Sequence, residues 1–186
     1  MSICLKSGHE NYPSTHCLFF KVLNGQQSTN GGDCRWIKNR WMPKQAVNPC
    51  TSGYHLCRPQ DLISWLGPDI WIAEGRGKLI ECEDKVVFEQ ARVVRHLDTW
   101  TDKTARLFAC WCVRETPLHD GRKIWVRLAD ERSRQAVIVA EKFANGEATA
   151  EELAAAWDAA WDAAGAAAGA AAWAAQTRKL MEILWG

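Results

Sequence analysis

The sequence predicts an α+β fold, with an antiparallel-rich sheet domain followed by a helical C-terminal part that ends in a long Ala-rich helix. Two observations lead there. Apolar runs of strand length, separated by turns that contain Gly and Pro, fill roughly the first hundred positions. After them the apolar positions recur at helical spacing. Strands followed by helices favour α+β, so we expect a sheet domain over 1–100 and a helical region over 101–186.

The first strand is predicted over the apolar run 17–23, which ends at a turn signal, Asn24-Gly25. The polar connection over 24–49 has the length of a binding loop or lid, with at most a short strand at 34–37. A later turn then leads into a strand over 53–57.

Pro59 suits the first turn of a short helix that Gly67-Pro68 ends. Two strands, 69–75 and 77–83, are predicted on either side of a Gly-rich hairpin turn. A long strand over 85–97 follows.

Three helices are predicted, over about 101–114, 131–145 and 149–184. The last begins with a capping box, in which the Thr149 hydroxyl and the Glu152 carboxylate satisfy backbone donors reciprocally. Alanine then dominates the helix, which suits its high helix propensity.

A stripe of tryptophan and glycine recurs at every fourth position along the last predicted helix. Glycine costs about 1 kcal/mol relative to alanine in a helix, so its presence indicates close packing. The stripe packs either on the helix before it or on another chain. In the second case the helix is a homo-oligomer interface or a partner-binding face. Its residues are Trp157, Trp161, Gly165, Gly169 and Trp173.

The composition argues against several classes of protein. A formal net charge of +1 gives no global attraction to nucleic acid or to a membrane. We recognise neither a secretory signal nor an uninterrupted apolar span, and the eight scattered cysteines suit reduced thiols better than a disulfide framework. We therefore expect a cytoplasmic protein that contacts no membrane.

The motif Cys50-x4-His55-x-Cys57 leaves four interpretations open. It could supply zinc ligands, completed by Cys34 or by Cys110, Cys112 and His119. His55 could be a general base beside Glu74 or Glu81, or a cysteine could be a nucleophile. The spacing fits no regular zinc pattern, so we favour a central strand over 53–57 with Cys57 buried, His55 hydrogen-bonded and no metal.

A second candidate site combines basic and aromatic residues. Arg35, Lys38, Arg40 and Lys44 alternate with Trp36 and Trp41, a pattern seen in single-strand-binding proteins, although nucleic acid is not the expected partner of so neutral a chain. The Gly-rich stretch around Arg76 could hold an anion. The candidate binding residues are His55, Tyr54, Glu74, Arg76, Trp36 and Trp41.

Three motifs together resemble a family of uncharacterised proteins from phages and their bacterial hosts. They are the box Gly53–Cys57, the strand end Glu74–Gly77 and the segment Glu83–Val86. The resemblance extends over about 17–180 and includes the Ala-rich tail. It implies phage or mobile-element origin and a location in the cytoplasm of a bacterial host, and it brings no established activity.

A weaker similarity connects the segment around Tyr54 and His55 to part of the ADP-ribosyltransferase fold. This similarity implies that one of the two lines a nicotinamide pocket and that a later glutamate acts. Glu89 and Glu115 are the candidates for that glutamate.

These observations favour a non-enzymatic protein-interaction protein that modulates or inhibits a host protein, such as a defence protein. We assign it no catalytic residue, cofactor or metal. The alternative is a nucleotide-binding or ADP-ribosyltransferase-like protein that uses the 50–57 strand and the 24–49 loop as a pocket.

Overall fold

The computed structural model describes residues 18–29, 31–127, 131–160 and 170–186. It confirms the α+β class, with a curled antiparallel sheet of five strands followed by helices. The chain divides into two compact units. The sheet unit is Met1–Trp65 with Trp71–His96, and the helical unit is Leu66–Ile70 with Leu97–Gly186.

The strand order in the sheet is β2-β1-β4-β5-β3. Just after β3, Cys57 and Phe20 exchange two backbone hydrogen bonds of 2.8 Å each, so the sheet curls until the end of β3 reaches β1. A single-turn 3-10 helix, Leu62–Trp65, stands where a short helix was predicted. The strands are β1 Phe19–Asn24, β2 Gln27–Ser28, β3 Tyr54–Leu56, β4 Asp69–Glu81 and β5 Val86–His96.

One apolar cluster forms a large part of the core of the sheet unit. On β3 its members are the alternate residues Tyr54 and Leu56, as expected where one face of a strand is buried. Two further members, Trp36 and Met42, come from the long connection between β2 and β3. The buried set is Leu23, Trp36, Met42, Tyr54, Leu56, Ala73, Val86, Phe88, Ala91 and Val93.

The predicted hairpin turn at 74–77 is wrong, because β4 continues through it. Arg76 pairs with Gln90 and Leu79 pairs with Phe88, so β4 has one residue more than β5 in this interval. Gly77, with φ +80°, accommodates the extra residue as a β-bulge. The chain reverses instead after β4, where the Cys82 N–H donates to the Lys85 carbonyl at 2.9 Å.

The connection before β3 is anchored to the sheet. Backbone N–H groups of Asn39, Met42 and Gln45 donate to carbonyls of β5 at 2.7, 2.9 and 3.1 Å. The 39–45 segment therefore extends the edge of β5 and does not form a lid. The strand predicted at 34–37 is wrong, since that stretch has no regular structure.

The helical unit contains α1 Asp102–Glu115, α2 Ile124–Arg127, α3 Glu131–Ala144, α4 Ala150–Ala160 and α5 Ala170–Trp185. The helices predicted near 101–114 and 131–145 are confirmed as α1 and α3. The middle of the predicted 149–184 helix lies outside the described residues. Its capping box is confirmed, because the Thr149 N–H donates to Glu152 at 2.7 Å and the Glu152 N–H donates to Thr149 Oγ1 at 3.2 Å.

Polar contacts connect the helices within this unit. Arg114 of α1 donates two hydrogen bonds to the Glu141 carboxylate of α3, at 2.5 and 2.7 Å. The hydroxyl of Thr99 donates to the Leu184 carbonyl of α5 at 3.0 Å. Leu184 itself is buried.

Among the described helices, none has both the length and the apolar character needed to cross a bilayer.

Candidate functional site

Strand β3 carries the first candidate residues. The predicted strand, the burial of Cys57 and the hydrogen-bonded His55 are all confirmed. The prediction of a central strand is wrong, because β3 is three residues long and ends the strand order. Tyr54 faces the core, and its hydroxyl donates to the Pro43 carbonyl at 2.8 Å.

His55 is poorly placed for proton transfer. Its Nε2 accepts the backbone N–H of Cys50 at 3.2 Å, so the basic nitrogen of the neutral ring is already occupied. Burial lowers the pKa of His55 below 6.5, and the charges of Lys21 and Lys85 lower it further, while Asp84 opposes them. The imidazole is therefore neutral at pH 7.

The carboxylates proposed as partners of His55 have arginine partners instead. Glu74 accepts from Arg92 at 2.7 Å. Glu81 lies 3.6 Å from Arg58. The structure shows neither of them as a hydrogen-bond partner of His55.

The described thiols are Cys34, Cys50, Cys57, Cys82, Cys110 and Cys112, and all are free. Burial raises the pKa of Cys57 to about 12 and the pKa values of Cys110 and Cys112 to about 11. These three are protonated thiols at neutral pH, which makes them weak nucleophiles and weak ligands. Among the described residues, no three His, Cys, Asp or Glu side chains come together in a group that could hold a metal ion.

Lys21 of β1 is half-buried, and the sequence analysis missed it. Its Nζ donates to the His55 carbonyl at 3.3 Å and lies 5.1 Å from the centre of the Trp36 ring. Within the described part of the chain, no carboxylate is paired with this amine. Burial lowers the pKa of Lys21 to about 8. A single lysine inside the run "FFKVL" was the available signal.

Trp36, one half of the predicted stacking pair, belongs to the core. It is 3% exposed and makes an edge-to-face contact with Tyr54, with ring centroids 5.6 Å apart. Its indole N–H donates to Ser28 Oγ at 3.2 Å. Trp36 and Tyr54 are thus core residues, so the predicted stacking platform has only Trp41 left.

The structure brings Trp41, Glu74 and Arg76 together on one surface, which also includes Gln90 and Arg92. We call these five residues the Trp41 face. The guanidinium of Arg76 lies 4.0 Å from the centre of the Trp41 ring, and that of Arg92 lies 4.7 Å from it. Arg92 also donates to Glu74 from Nε at 2.8 Å.

Two consecutive residues of β5, Gln90 and Glu89, each connect the 39–45 segment to β4. Gln90 accepts from Arg76 Nε at 3.1 Å and donates to the Met42 carbonyl at 3.0 Å. The neighbouring Glu89 carboxylate lies 3.0 Å from Lys44 and accepts the Lys78 N–H at 3.4 Å. The hydrogen bond and charge of Lys44 lower the pKa of Glu89.

The sequence analysis did not identify Gln90 and Arg92. Both pair across the sheet with identified residues, Gln90 with Arg76 and Arg92 with Glu74. The available signal was their shared parity along the predicted strand, but the bulge at Gly77 concealed which residues of β4 they would meet.

The predicted helical interface is only partly described. Trp157 lies in α4, and Trp173 in α5 is 39% exposed. Trp161, Gly165 and Gly169 lie outside the described residues.

The candidate glutamates of the ADP-ribosyltransferase similarity both pair with lysine, Glu89 with Lys44 and Glu115 with Lys123.

Comparison with known proteins adds no relative. No family model matches the chain, and neither a curated protein nor a solved structure matches it.

Proposed function

We propose that this chain is a non-enzymatic protein-interaction protein and that the Trp41 face is its binding surface. The carrying observation is that the guanidinium groups of Arg76 and Arg92 both lie against the ring of Trp41, whose segment is hydrogen-bonded to β5. Tryptophan and arginine are enriched among the residues that contribute most binding energy in protein interfaces. Side chains already held in place lose less conformational entropy on binding.

The anchoring of the surface supports this role. The 39–45 segment, β5 and β4 are joined by backbone hydrogen bonds, and Gln90 and Glu89 add side-chain bridges. Arg76 is exposed, and the Arg92 side chain is 31% exposed. A partner could therefore contact the arginines without rearranging the sheet. The resemblance to phage proteins suggests a bacterial host protein, such as a defence protein, as that partner.

Nucleic acid suits this surface less well than a protein does. Glu74 lies beside the arginines of the Trp41 face and would repel phosphates. The ring of Trp41 has arginines beside it at stacking distance, and Trp36 is buried, so base stacking has little aromatic surface to use. Mixed charges of this kind match the mixed charges of a protein surface.

Affinity capture from a bacterial lysate tests the proposal by comparing the wild type with a variant of the Trp41 face and a control variant. Trp41→Ala should abolish capture of a specific protein that the wild type retains. Arg35→Ala is the control, because Arg35 is an exposed arginine of the same connection and contacts Gln26 away from the Trp41 face. Equal capture by wild type and Trp41→Ala would refute the proposal. Circular dichroism should show that both variants are folded.

Nucleotide binding between the 50–57 strand and the 24–49 loop is the competing hypothesis. The loop and this region are in direct contact, because Tyr54 bonds to Pro43 at 2.8 Å, Gly53 to Gln45 at 3.3 Å and Ser52 to Ala46 at 2.7 Å. A nucleotide would have to displace these contacts. A thermal shift with millimolar NAD or nucleotide would favour this hypothesis, since ligand at 100 times its Kd stabilises by about 2.7 kcal/mol.

A further inference from the structure

The two arginines of the Trp41 face differ in what their guanidinium groups already bind. Arg92 donates from Nε and from a terminal nitrogen to Glu74, at 2.8 and 2.7 Å. Its charge is thus already paired with a carboxylate of the same chain. Arg76 donates only from Nε, to the neutral amide oxygen of Gln90 at 3.1 Å.

The terminal nitrogens of Arg76 have no hydrogen-bond acceptor among the described residues, and no carboxylate there is paired with this side chain. The guanidinium is nevertheless held in one orientation. Trp41 lies against it at 4.0 Å, and the Gln90 amide that accepts its Nε–H is itself bonded to the Met42 carbonyl. The outer edge of Arg76 is therefore a positioned pair of N–H donors.

The charges around this edge favour an acidic ligand. Arg92 pairs with Glu74, so these two charges largely cancel. Arg76 is left as the uncompensated cation of the Trp41 face.

We infer that the terminal N–H pair of Arg76 binds a carboxylate of an acidic protein segment, with Trp41 and Gln90 as its positioning residues. The planar guanidinium can donate two parallel hydrogen bonds to a carboxylate, whereas a lysine amine cannot. This inference rests on the proposed function and adds the chemistry of the partner and the residue that recognises it.

The test uses the full chain and two defined peptides. One is a 12-residue peptide of alternating glutamate and glycine, and the other has glutamine in place of every glutamate. NMR follows the Arg76 Nε–H and Trp41 indole signals during each titration. The glutamate peptide should shift both signals and the glutamine peptide should shift neither. Raising salt should weaken binding, because the contact is exposed and charged.

Arg76→Gln should reduce affinity for the glutamate peptide by about ten-fold or more, since it removes a charge-assisted bidentate contact. Arg76→Lys keeps the charge but not the paired donors, and should recover only part of the loss. Arg35→Gln should bind like the wild type. Unchanged thermal unfolding will show that the Arg76 variants are folded.

Several outcomes would overturn the inference. One is failure of the glutamate peptide to bind, and another is equal binding by Arg76→Gln. Tighter binding of a 12-residue oligothymidine or of inorganic phosphate, with loss in Arg76→Gln, would identify a phosphate ligand instead. If Trp41→Ala still abolishes capture of the cellular partner, the proposed function survives and only the carboxylate contact is refuted.

Discussion

The inner and outer sides of the sheet unit each place a cationic side chain beside a tryptophan, with opposite consequences. Inside, the amine of Lys21 lies 5.1 Å from the centre of the Trp36 ring. Outside, Arg76 and Arg92 lie 4.0 and 4.7 Å from the centre of the Trp41 ring. The two tryptophans are only five positions apart in one connection.

Solvent access explains the difference. Lys21 is half-buried without a carboxylate partner in the described chain, and burial lowers its pKa to about 8. The arginines keep contact with water, and Arg92 has Glu74 as a counter-ion. Desolvation thus disfavours the charged form of Lys21 in the interior although Trp36 lies beside it, while at the surface the contact with Trp41 orders a guanidinium donor for a partner.

Trp36→Ala should give the largest change in stability. We expect a loss of about 3–5 kcal/mol in the free energy of unfolding, because a buried indole leaves a cavity. Urea unfolding measures this loss. Trp41→Ala is the matched variant and should cost clearly less, since exposed cation–π contacts contribute about 0.5–1 kcal/mol each. Equal losses would contradict the distinction between the two sides.

Gly75→Ala should cause the next largest loss of stability. A β-carbon at Gly75 would overlap the ring of Phe88, which belongs to the core cluster. Overpacking of this kind typically costs about 1–3 kcal/mol. A double-mutant cycle with Phe88→Ala checks the mechanism, because removing the ring should relieve the overlap and make the combined loss smaller than the sum. Simple additivity would argue against the contact.

Lys21→Met should stabilise the protein by about 1–2 kcal/mol at pH 7, allowing for partial solvent screening of this half-buried amine. The folded pKa of about 8 lies below the ordinary value of 10.5. The cost of charging Lys21 is therefore fully present below pH 8 and disappears as pH rises to about 10.5.

Urea unfolding of wild type and Lys21→Met at pH 7 and pH 10 measures this difference. The advantage of the variant should shrink at pH 10. An advantage that does not change with pH would mean that better packing, and not the charge of Lys21, is responsible.

Glu74→Gln should have the smallest effect, about 1 kcal/mol or less. The Glu74 side chain is 47% exposed, and exposed ion pairs contribute little to stability. Any loss should diminish in 1 M salt, where the Debye length is about 3 Å. Thermal unfolding at low and high salt provides the measurement. A large, salt-independent loss would show that Glu74 has a packing role.

The sequence by itself determined the local features of this protein. Alternating apolar residues were sufficient for the strand at Tyr54–Leu56, and helical spacing for α1 and α3. The capping box at Thr149 and Glu152 involves only neighbours within one turn. Such features depend on contacts between positions close in sequence, where spacing alone places the groups together.

Only the tertiary structure decided which residues meet. The bulge at Gly77 sets the register that brings Arg76 to Gln90 and Glu74 to Arg92. The hydrogen bonds of the 39–45 segment to β5 accompany opposite placements of Trp36, in the core, and Trp41, on the surface. Pairing across the sheet joins positions far apart in the chain, and a shift of one residue reverses which face each side chain occupies. For that reason the composition of the Trp41 face and the burial of Lys21 could not be read from the sequence pattern.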